Sequence, residues 1–233
     1  MDSLSVFSQG TMQMDLYLKL ISDFEPFNHE AYMGRSVPYN KRGEHATGFA
    51  MLNKAVELAP KEHLGYRAFV KLYMMHDYEG ALRDCLRLDS LTAFAKPGVW
   101  GEEMDVVIGL CYLQLGDYKT AKTRISASIK DITRKHGKQW NPSRSFLYLG
   151  IALMKDKQYA EAIRTFDELI HVNATYSEAY YYKALCLEAI NDHKKAETTL
   201  QKCRQVFEKH GAERNPYFEM PYQLYGSMLR KDG

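Results

Sequence analysis

The 233-residue sequence lacks the features that would place it in a membrane or on an anionic partner. It has no run of about 18 apolar residues, so it predicts no membrane-spanning helix. Its start lacks the basic and apolar regions of a secretory signal. With 31 Lys and Arg residues against 29 Asp and Glu residues, the net charge is only +2. The overall charge therefore does not require a nucleic acid, an anionic lipid surface or an acidic substrate.

Cysteine is scarce, and its spacing fits neither a metal site nor a disulfide framework. The chain has four cysteines with no CxxC or CxxxxC spacing, and each lies in a segment of helical apolar periodicity. This pattern favours buried, reduced thiols and predicts a cytoplasmic protein. The four residues are Cys85, Cys111, Cys186 and Cys203.

The sequence also lacks recognisable catalytic and cofactor-binding motifs. It contains no GxSxG, HExxH, P-loop or GxGxxG pattern. The eight histidines are scattered, and we interpret His76 and His193 as polar residues of turns between helices. The sequence predicts a protein that is not an enzyme and binds no cofactor or metal. Residues distant in sequence can still converge in a fold, so an enzyme stays as the minor alternative.

The sequence does contain an internal repeat. Its clearest copy runs from Phe146 through Leu149 and Gly150 to Ala162 and Phe166. The next copy has Ala196 in the place of Ala162. This order of an aromatic residue, Leu-Gly and Ala-x-x-x-Phe resembles the tetratricopeptide repeat, and the interval between the two alanines equals the period of that family. Upstream copies are centred on Gly109, on Ala68-Phe69 and on the segment from Tyr32 to Pro60.

The resemblance covers about residues 14–230 and implies an all-α fold. The expected architecture is a right-handed superhelical solenoid of antiparallel helix pairs, with about four to five repeats plus terminal half-repeats. We expect an N-terminal capping helix in residues 1–27, the array in 28–215 and a C-terminal half-repeat helix in 216–233. Since proline removes a backbone donor, we also expect the helix that contains Pro38 to be broken.

The interval from Gly109 to Gly150 is longer than the interval from Ala162 to Ala196. The additional residues fit a longer second helix that ends at Gly137, after three basic residues. Basic residues in a last turn complement the negative helix end, and glycine permits the left-handed cap. The same pattern recurs at Gly211. We therefore predict alternating long and short second helices.

A second apolar stripe follows the first helix of each pair at i, i+4 and i+7. The resemblance implies that this face lines a peptide-binding groove, and Glu188 is the one polar residue among its twelve positions. Burial between neighbouring first helices, or cover by residues 1–12, is an equal alternative. The Lys, Asn and Arg clamp with which the family holds chaperone tails is absent. The predicted groove residues are Tyr66, Val70, Tyr73, Val106, Leu110, Leu113, Leu147, Ile151, Met154, Tyr181 and Leu185.

These features predict a scaffold that binds a protein or peptide through an apolar or amphipathic segment. The alternative is a regulatory or sensory module of a larger assembly. A weaker alternative is nucleic-acid binding through the basic connection of residues 130–144, which places Trp140 among five basic residues. The terminal half-repeats further predict head-to-tail self-association.

Overall fold

The computed structural model describes residues 8, 10–93, 95 and 97–230, and this part of the chain is all-α. It divides into two compact units, residues 1–102 and 103–233. The first unit contains α1 (Met12–Phe24), α2 (His29–Lys41), α3 (His45–Leu58), α4 (Pro60–Phe69), a π-helical turn (Val70–Met74) and α5 (Tyr78–Leu91). The second contains α6 (Met104–Gln114), α7 (Tyr118–His136), α8 (Ser143–Lys155), α9 (Tyr159–Val172), α10 (Ser177–Ala189) and α11 (His193–His210), with short 3-10 turns at Lys138–Trp140 and Gly226–Leu229.

The helices form consecutive antiparallel pairs, α2 with α3 and α4 with α5 in the first unit. In the second unit α6 pairs with α7, α8 with α9, and α10 with α11. The even-numbered helix of each pair is its first helix. This confirms the predicted helix-pair architecture. None of the described helices is long and apolar enough to cross a membrane.

A residue with positive φ reverses the chain inside each pair. Glycine occupies this position in two turns, at Gly43 (φ +79) and Gly116 (φ +84). His76, Lys157 and Asn191 adopt the same left-handed conformation in the other three turns. An aspartate then caps the second helix in three pairs. Asp117, for example, accepts a hydrogen bond of 3.0 Å from Thr120 N, and this bond lowers its pKa.

The small residues of the repeat lie where the two helices of a pair approach most closely. A Cβ atom on Gly109 would lie 2.5 Å from Ile125 Cγ1, and one on Gly150 would lie 2.4 Å from Phe166 Cε1. Ala162 is fully buried. These contacts agree with the register that the sequence predicts.

The second helices of the second unit have the predicted lengths. α7 has 19 residues and α11 has 18, whereas α9 has 14. Gly137 (φ +97) follows α7 and Gly211 (φ +74) follows α11, so glycine ends both long helices in backbone that other residues rarely adopt.

Two local predictions were wrong. α2 continues through Pro38 and ends three residues later at Lys41, so the missing donor does not break the helix. Residues 216–230 do not form the predicted C-terminal helix; they contain only the 3-10 turn Gly226–Leu229. Pro216 lies in a bend and Pro221 in a turn, and both restrict the backbone there. Residues 231–233 and most of 1–9 lie outside the described part of the chain.

Candidate functional site

The predicted groove residues lie mostly in the core. In the first unit, Tyr66, Val70 and Tyr73 are at most 3% exposed. In the second unit, the buried positions are Val106, Leu110, Leu113, Leu147 and Ile151. Only Met154, Tyr181 and Leu185 retain partial exposure. Of the two alternatives that the sequence left open, burial between first helices therefore describes most of the stripe.

The reason lies in how first helices pack. α8 packs against both α6 and α10, so its i, i+4, i+7 stripe fills the space between neighbouring first helices. A buried side chain in this position stabilises the stack and has no surface left for a ligand. Whether the exposed remainder binds a peptide stays a prediction.

A different surface of the second unit already holds a polypeptide, namely the C-terminal segment of the chain itself. We call residues 211–230 the C-terminal segment, and we call the face formed by Tyr148 of α8 and Tyr182 of α10 the tyrosine surface. The ring centroid of Tyr222 lies 6.5 Å from that of Tyr148 and 6.2 Å from that of Tyr182. Tyr182 Oη donates a hydrogen bond of 3.1 Å to the Tyr222 carbonyl oxygen. The segment is thus held by both a side chain and its backbone.

Polar contacts anchor the start of the C-terminal segment at the beginning of α8 and α10. Arg144 Nε lies 3.1 Å from Glu213 Oε1, and Tyr176 Oη donates to the other carboxylate oxygen of Glu213. Glu213 N donates to Glu178 Oε1 at 3.2 Å, and Ser177 Oγ donates to the Gly211 carbonyl at 2.9 Å. One ion pair and three hydrogen bonds therefore fix where the segment enters the surface.

Apolar contacts fix the far end of the segment. Leu224 is fully buried and Leu229 is 8% exposed, in a cluster with Tyr180, Cys203 and Val206 of α10 and α11. The segment thereby covers the face of the last helix pair that a further repeat would otherwise cover.

All four cysteines are buried, which agrees with the burial that the sequence predicts. Burial raises the pKa of both Cys186 and Cys203 to about 12, so these thiols stay protonated at neutral pH.

Glu178 is a buried carboxyl group beneath the C-terminal segment, 2% exposed. Burial raises its pKa, against the opposing effect of hydrogen bonds from Ser177 and from the segment backbone. Because the folded state binds this proton more tightly than the unfolded chain, the resulting stabilisation is complete below a pH of about 4.3. It is lost as the pH rises through the folded pKa.

We therefore expect the Glu178→Gln variant to gain stability relative to the wild type as the pH rises from about 4 to about 7. Urea unfolding at the two pH values measures this difference. Glu161→Gln on the exposed surface of α9 is the matched control. A relative stability that falls with pH would mean that the hydrogen bonds outweigh burial.

The basic connection is largely neutralised within the chain. Arg134 and Lys135 both pair with Asp131, at 2.8 and 2.6 Å. Lys138 lies 3.3 Å from Glu168 Oε1, and Arg144 pairs with Glu213 as described above. Trp140 is 69% exposed. Since four of the five cations already have carboxylate partners, the connection is poorly suited to bind phosphates.

The tyrosine surface was missed in the sequence, although a signal for it exists. Tyr148 and Tyr182 are separated by one repeat period, and each directly follows a predicted groove position. No pattern in the sequence indicated that Tyr222 would return to them, because that contact depends on the path of the C-terminal segment.

Residues 153–209 match the family model of the tetratricopeptide repeat. Together with the helix pairs that precede this region, the match confirms the resemblance found in the sequence. Residues 153–209 therefore carry tetratricopeptide-repeat sequence.

Solved structures agree with this assignment. MamA, residues 41 to the end, from Desulfovibrio magneticus RS-1 is 16% identical with a TM-score of 0.66, and the match covers 79% of this chain and 97% of that one. PilF from Pseudomonas aeruginosa is 16% identical with a TM-score of 0.64, and the match covers 84% of each chain. YrrB, described as a tetratricopeptide-repeat protein with an unusual peptide-binding site, is 15% identical with a TM-score of 0.60, and the match covers 83% and 93%. At these identities the likeness concerns the fold. A search of curated protein sequences returned no match.

Proposed function

We propose that the chain is a non-catalytic scaffold that binds another protein by holding an irregular, largely non-helical segment of it on the tyrosine surface. The observation that carries this proposal is the position of the C-terminal segment, which packs on that surface through Tyr222. In the structure the site is occupied by the chain itself, so a partner binds by replacing this segment. The fold that the chain shares with YrrB, whose described property is peptide binding, supports the same function.

The contacts of the C-terminal segment indicate the chemistry of the partner. Tyr148 and Tyr182 flank one aromatic side chain, and pairs of aromatic rings add about 0.5–1.5 kcal/mol each beyond their buried area. Tyr182 Oη donates to a backbone carbonyl, which a residue of any type can supply. Arg144 pairs with the carboxylate of Glu213, which lies nine residues before Tyr222 in the sequence. The partner we propose is a non-helical segment that places an acidic and an aromatic residue at about this spacing.

Competition with the C-terminal segment sets the apparent affinity. A tethered segment acts at an effective concentration of the order of millimolar, so it reduces the apparent affinity of a partner with the same contacts. A substitution that weakens the contacts of the tethered segment therefore increases the affinity of the chain for a separate peptide. This gives the proposal a direct test.

The test uses a fluorescein-labelled peptide of residues 211–230 as the probe and the full chain as the receptor. We expect the Tyr222→Ala variant to bind the probe about tenfold more tightly than the wild type, since it loses two ring contacts worth roughly 1–3 kcal/mol together. Fluorescence anisotropy measures the two dissociation constants. Adding Tyr148→Ala to the Tyr222→Ala chain is expected to remove most of this gain.

The control is Tyr217→Ala, which changes a tyrosine of the same segment that is 52% exposed. It is expected to bind the probe as the wild type does. Equal binding by the wild type and the Tyr222→Ala variant, with both chains folded, would contradict the proposed site.

Two further expectations stay predictions. Regulation by an effector would require that release of the C-terminal segment changes the structure of the chain elsewhere.

Head-to-tail self-association would use α1, whose exposed stripe contains Met12, Leu16, Leu20 and Phe24. The opposite end is less suited to it, because Leu224 and Leu229 of the same chain already cover that end. We place the protein in the cytoplasm, where its four buried cysteines would remain reduced.

A further inference from the structure

Two histidines of the first unit converge at the starts of α2 and α4. His29 is the first residue of α2, and His63 lies in the first turn of α4. His29 Nδ1 is 2.8 Å from His63 Nε2 and 3.6 Å from Glu62 Oε2. The three side chains offer ligand atoms that all lie within 4.8 Å of one another.

We propose that His29, Glu62 and His63 form a binding site for a divalent transition-metal ion of the Zn²⁺ type. Imidazole nitrogens together with one carboxylate oxygen suit Zn²⁺, Co²⁺, Ni²⁺ and Cu²⁺, whereas Mg²⁺ and Ca²⁺ prefer oxygen ligands alone. Three protein ligands leave one tetrahedral position for water or for a group from a partner. This site lies outside the unit that contains the tyrosine surface.

The observed distances are close to those that a bound ion requires. Two ligands that are each about 2.0–2.1 Å from a tetrahedral Zn²⁺ are about 3.3 Å apart. The two distances from His29, 2.8 and 3.6 Å, lie on either side of this value. The ligand atoms of Glu62 and His63 lie within 4.8 Å of each other, so this pair has to close by up to about 1.5 Å, which the exposed Glu62 side chain can supply. Binding also requires that the proton shared by the two facing nitrogens moves to a distal ring nitrogen or to water, so that both facing nitrogens can donate lone pairs.

The surroundings hold the ligands in place and leave them accessible. His63 is 6% exposed and is fixed in the core. The side chains of His29 and Glu62 are 28% and 61% exposed, so an ion can reach them from solvent. The positive ends of two helices oppose a cation here, but Glu30 and Glu62, each in a first turn, offset that field.

The repeat explains why these residues meet. His29 and His63 are 34 residues apart, which is one period, so they occupy equivalent positions of neighbouring first helices. A bound ion would therefore connect two successive repeats of the first unit directly. Binding to the folded state alone would raise the melting temperature of that unit as the metal concentration rises.

The test is a titration of the reduced, EDTA-treated full chain with Zn²⁺, followed by calorimetry and by thermal unfolding. We expect one equivalent bound with a dissociation constant of about 1 µM or below, a higher melting temperature, and no effect of Mg²⁺. Co²⁺ serves as a spectroscopic probe. Its absorption should be that of nitrogen and oxygen ligation, without a thiolate charge-transfer band.

Variants assign the ligands. His63→Ala is expected to weaken Zn²⁺ binding at least about 100-fold, and Glu62→Gln about tenfold. His193→Ala is the matched control, because His193 is exposed and its Nδ1 lies 2.7 Å from Glu188 without a second histidine in the contact. This control is expected to bind Zn²⁺ as the wild type does.

If His63→Ala does not fold, the Zn²⁺ affinities of His29→Ala and Glu62→Gln decide whether these residues are ligands. Both side chains are partly exposed, so their replacement leaves the core intact. Failure of the wild type to bind Zn²⁺ overturns the proposal. Equal binding by the wild type and these variants, or a thiolate band with Co²⁺, overturns it as well.

Discussion

Replacing Asp84 by alanine is expected to destabilise the first unit by about 3–5 kcal/mol, because it leaves two cations unpaired in a partly buried site. The Asp84 side chain is 6% exposed and accepts two bonds from Arg67, at 2.7 and 2.8 Å. Lys71 Nζ lies 2.8 Å from the same carboxylate. Both basic side chains are only 15% exposed, so neither can regain full hydration while the helices stay packed.

Urea unfolding followed by circular dichroism measures the loss of stability, and hydrogen exchange of the α4 and α5 amides assigns it to the first unit. Asp84→Asn keeps the volume and some hydrogen bonding but not the charge, so an intermediate loss is expected. Asp131→Ala is the control, because its partners Arg134 and Lys135 are exposed. We expect no measurable change for it. A loss below about 1 kcal/mol for Asp84→Ala would show that Arg67 and Lys71 extend to solvent instead.

Much of the fold was predictable because short-range chemistry determines it. Gly137 and Gly211 end long helices through a backbone conformation that glycine adopts readily. Gly109 and Gly150 mark close helix contacts because a Cβ atom has no room there. At each of these positions the lack of a side chain is the structural reason for the glycine.

Exposure was less predictable, because it depends on neighbours that are distant in sequence. Ile151 of α8 and Leu185 of α10 occupy equivalent positions of successive repeats. Ile151 is fully buried and Leu185 is 41% exposed. Among the described first helices, α8 has a neighbour on both sides, whereas α10 packs against α8 alone. An apolar residue at the same repeat position is therefore buried in one copy and exposed in the next.

The path of the C-terminal segment could not be derived from periodicity. The run from Leu224 to Leu229 resembles the first helix of a repeat, and this resemblance led to the wrong prediction of a helix. The residues instead follow two prolines and reach the core after a turn, in which Tyr222 has a left-handed φ of +64. Tertiary contacts with α10 and α11 outweigh the local pattern here. The convergence of His29 and His63 likewise required the alignment of α2 with α4.

Replacing Phe166 by alanine is expected to destabilise the second unit by about 3–5 kcal/mol through the loss of buried area and the cavity that remains. Phe166 is fully buried on α9, where its ring fills the space above Gly150 and lies 6.3 Å from the ring of Tyr182. Urea unfolding, with hydrogen exchange of the α8 and α9 amides, measures the effect. Val172→Ala, at a position 37% exposed on the same helix, is the control and should change stability by no more than about 0.5 kcal/mol.

Gly150→Ala tests the same contact from the opposite helix. The new Cβ atom would lie 2.4 Å from Phe166 Cε1, so we expect a loss of about 1–3 kcal/mol from overpacking. Adding Phe166→Leu should recover part of that loss, and the double-mutant cycle gives the coupling between the two positions. A Gly150→Ala variant that is as stable as the wild type would contradict the register.

Because Phe166 also supports Tyr182, the folded Phe166→Leu variant, combined with Tyr222→Ala, should bind the peptide of residues 211–230 more weakly than Tyr222→Ala alone. Packing in the core of this repeat and recognition on its surface would then depend on the same ring.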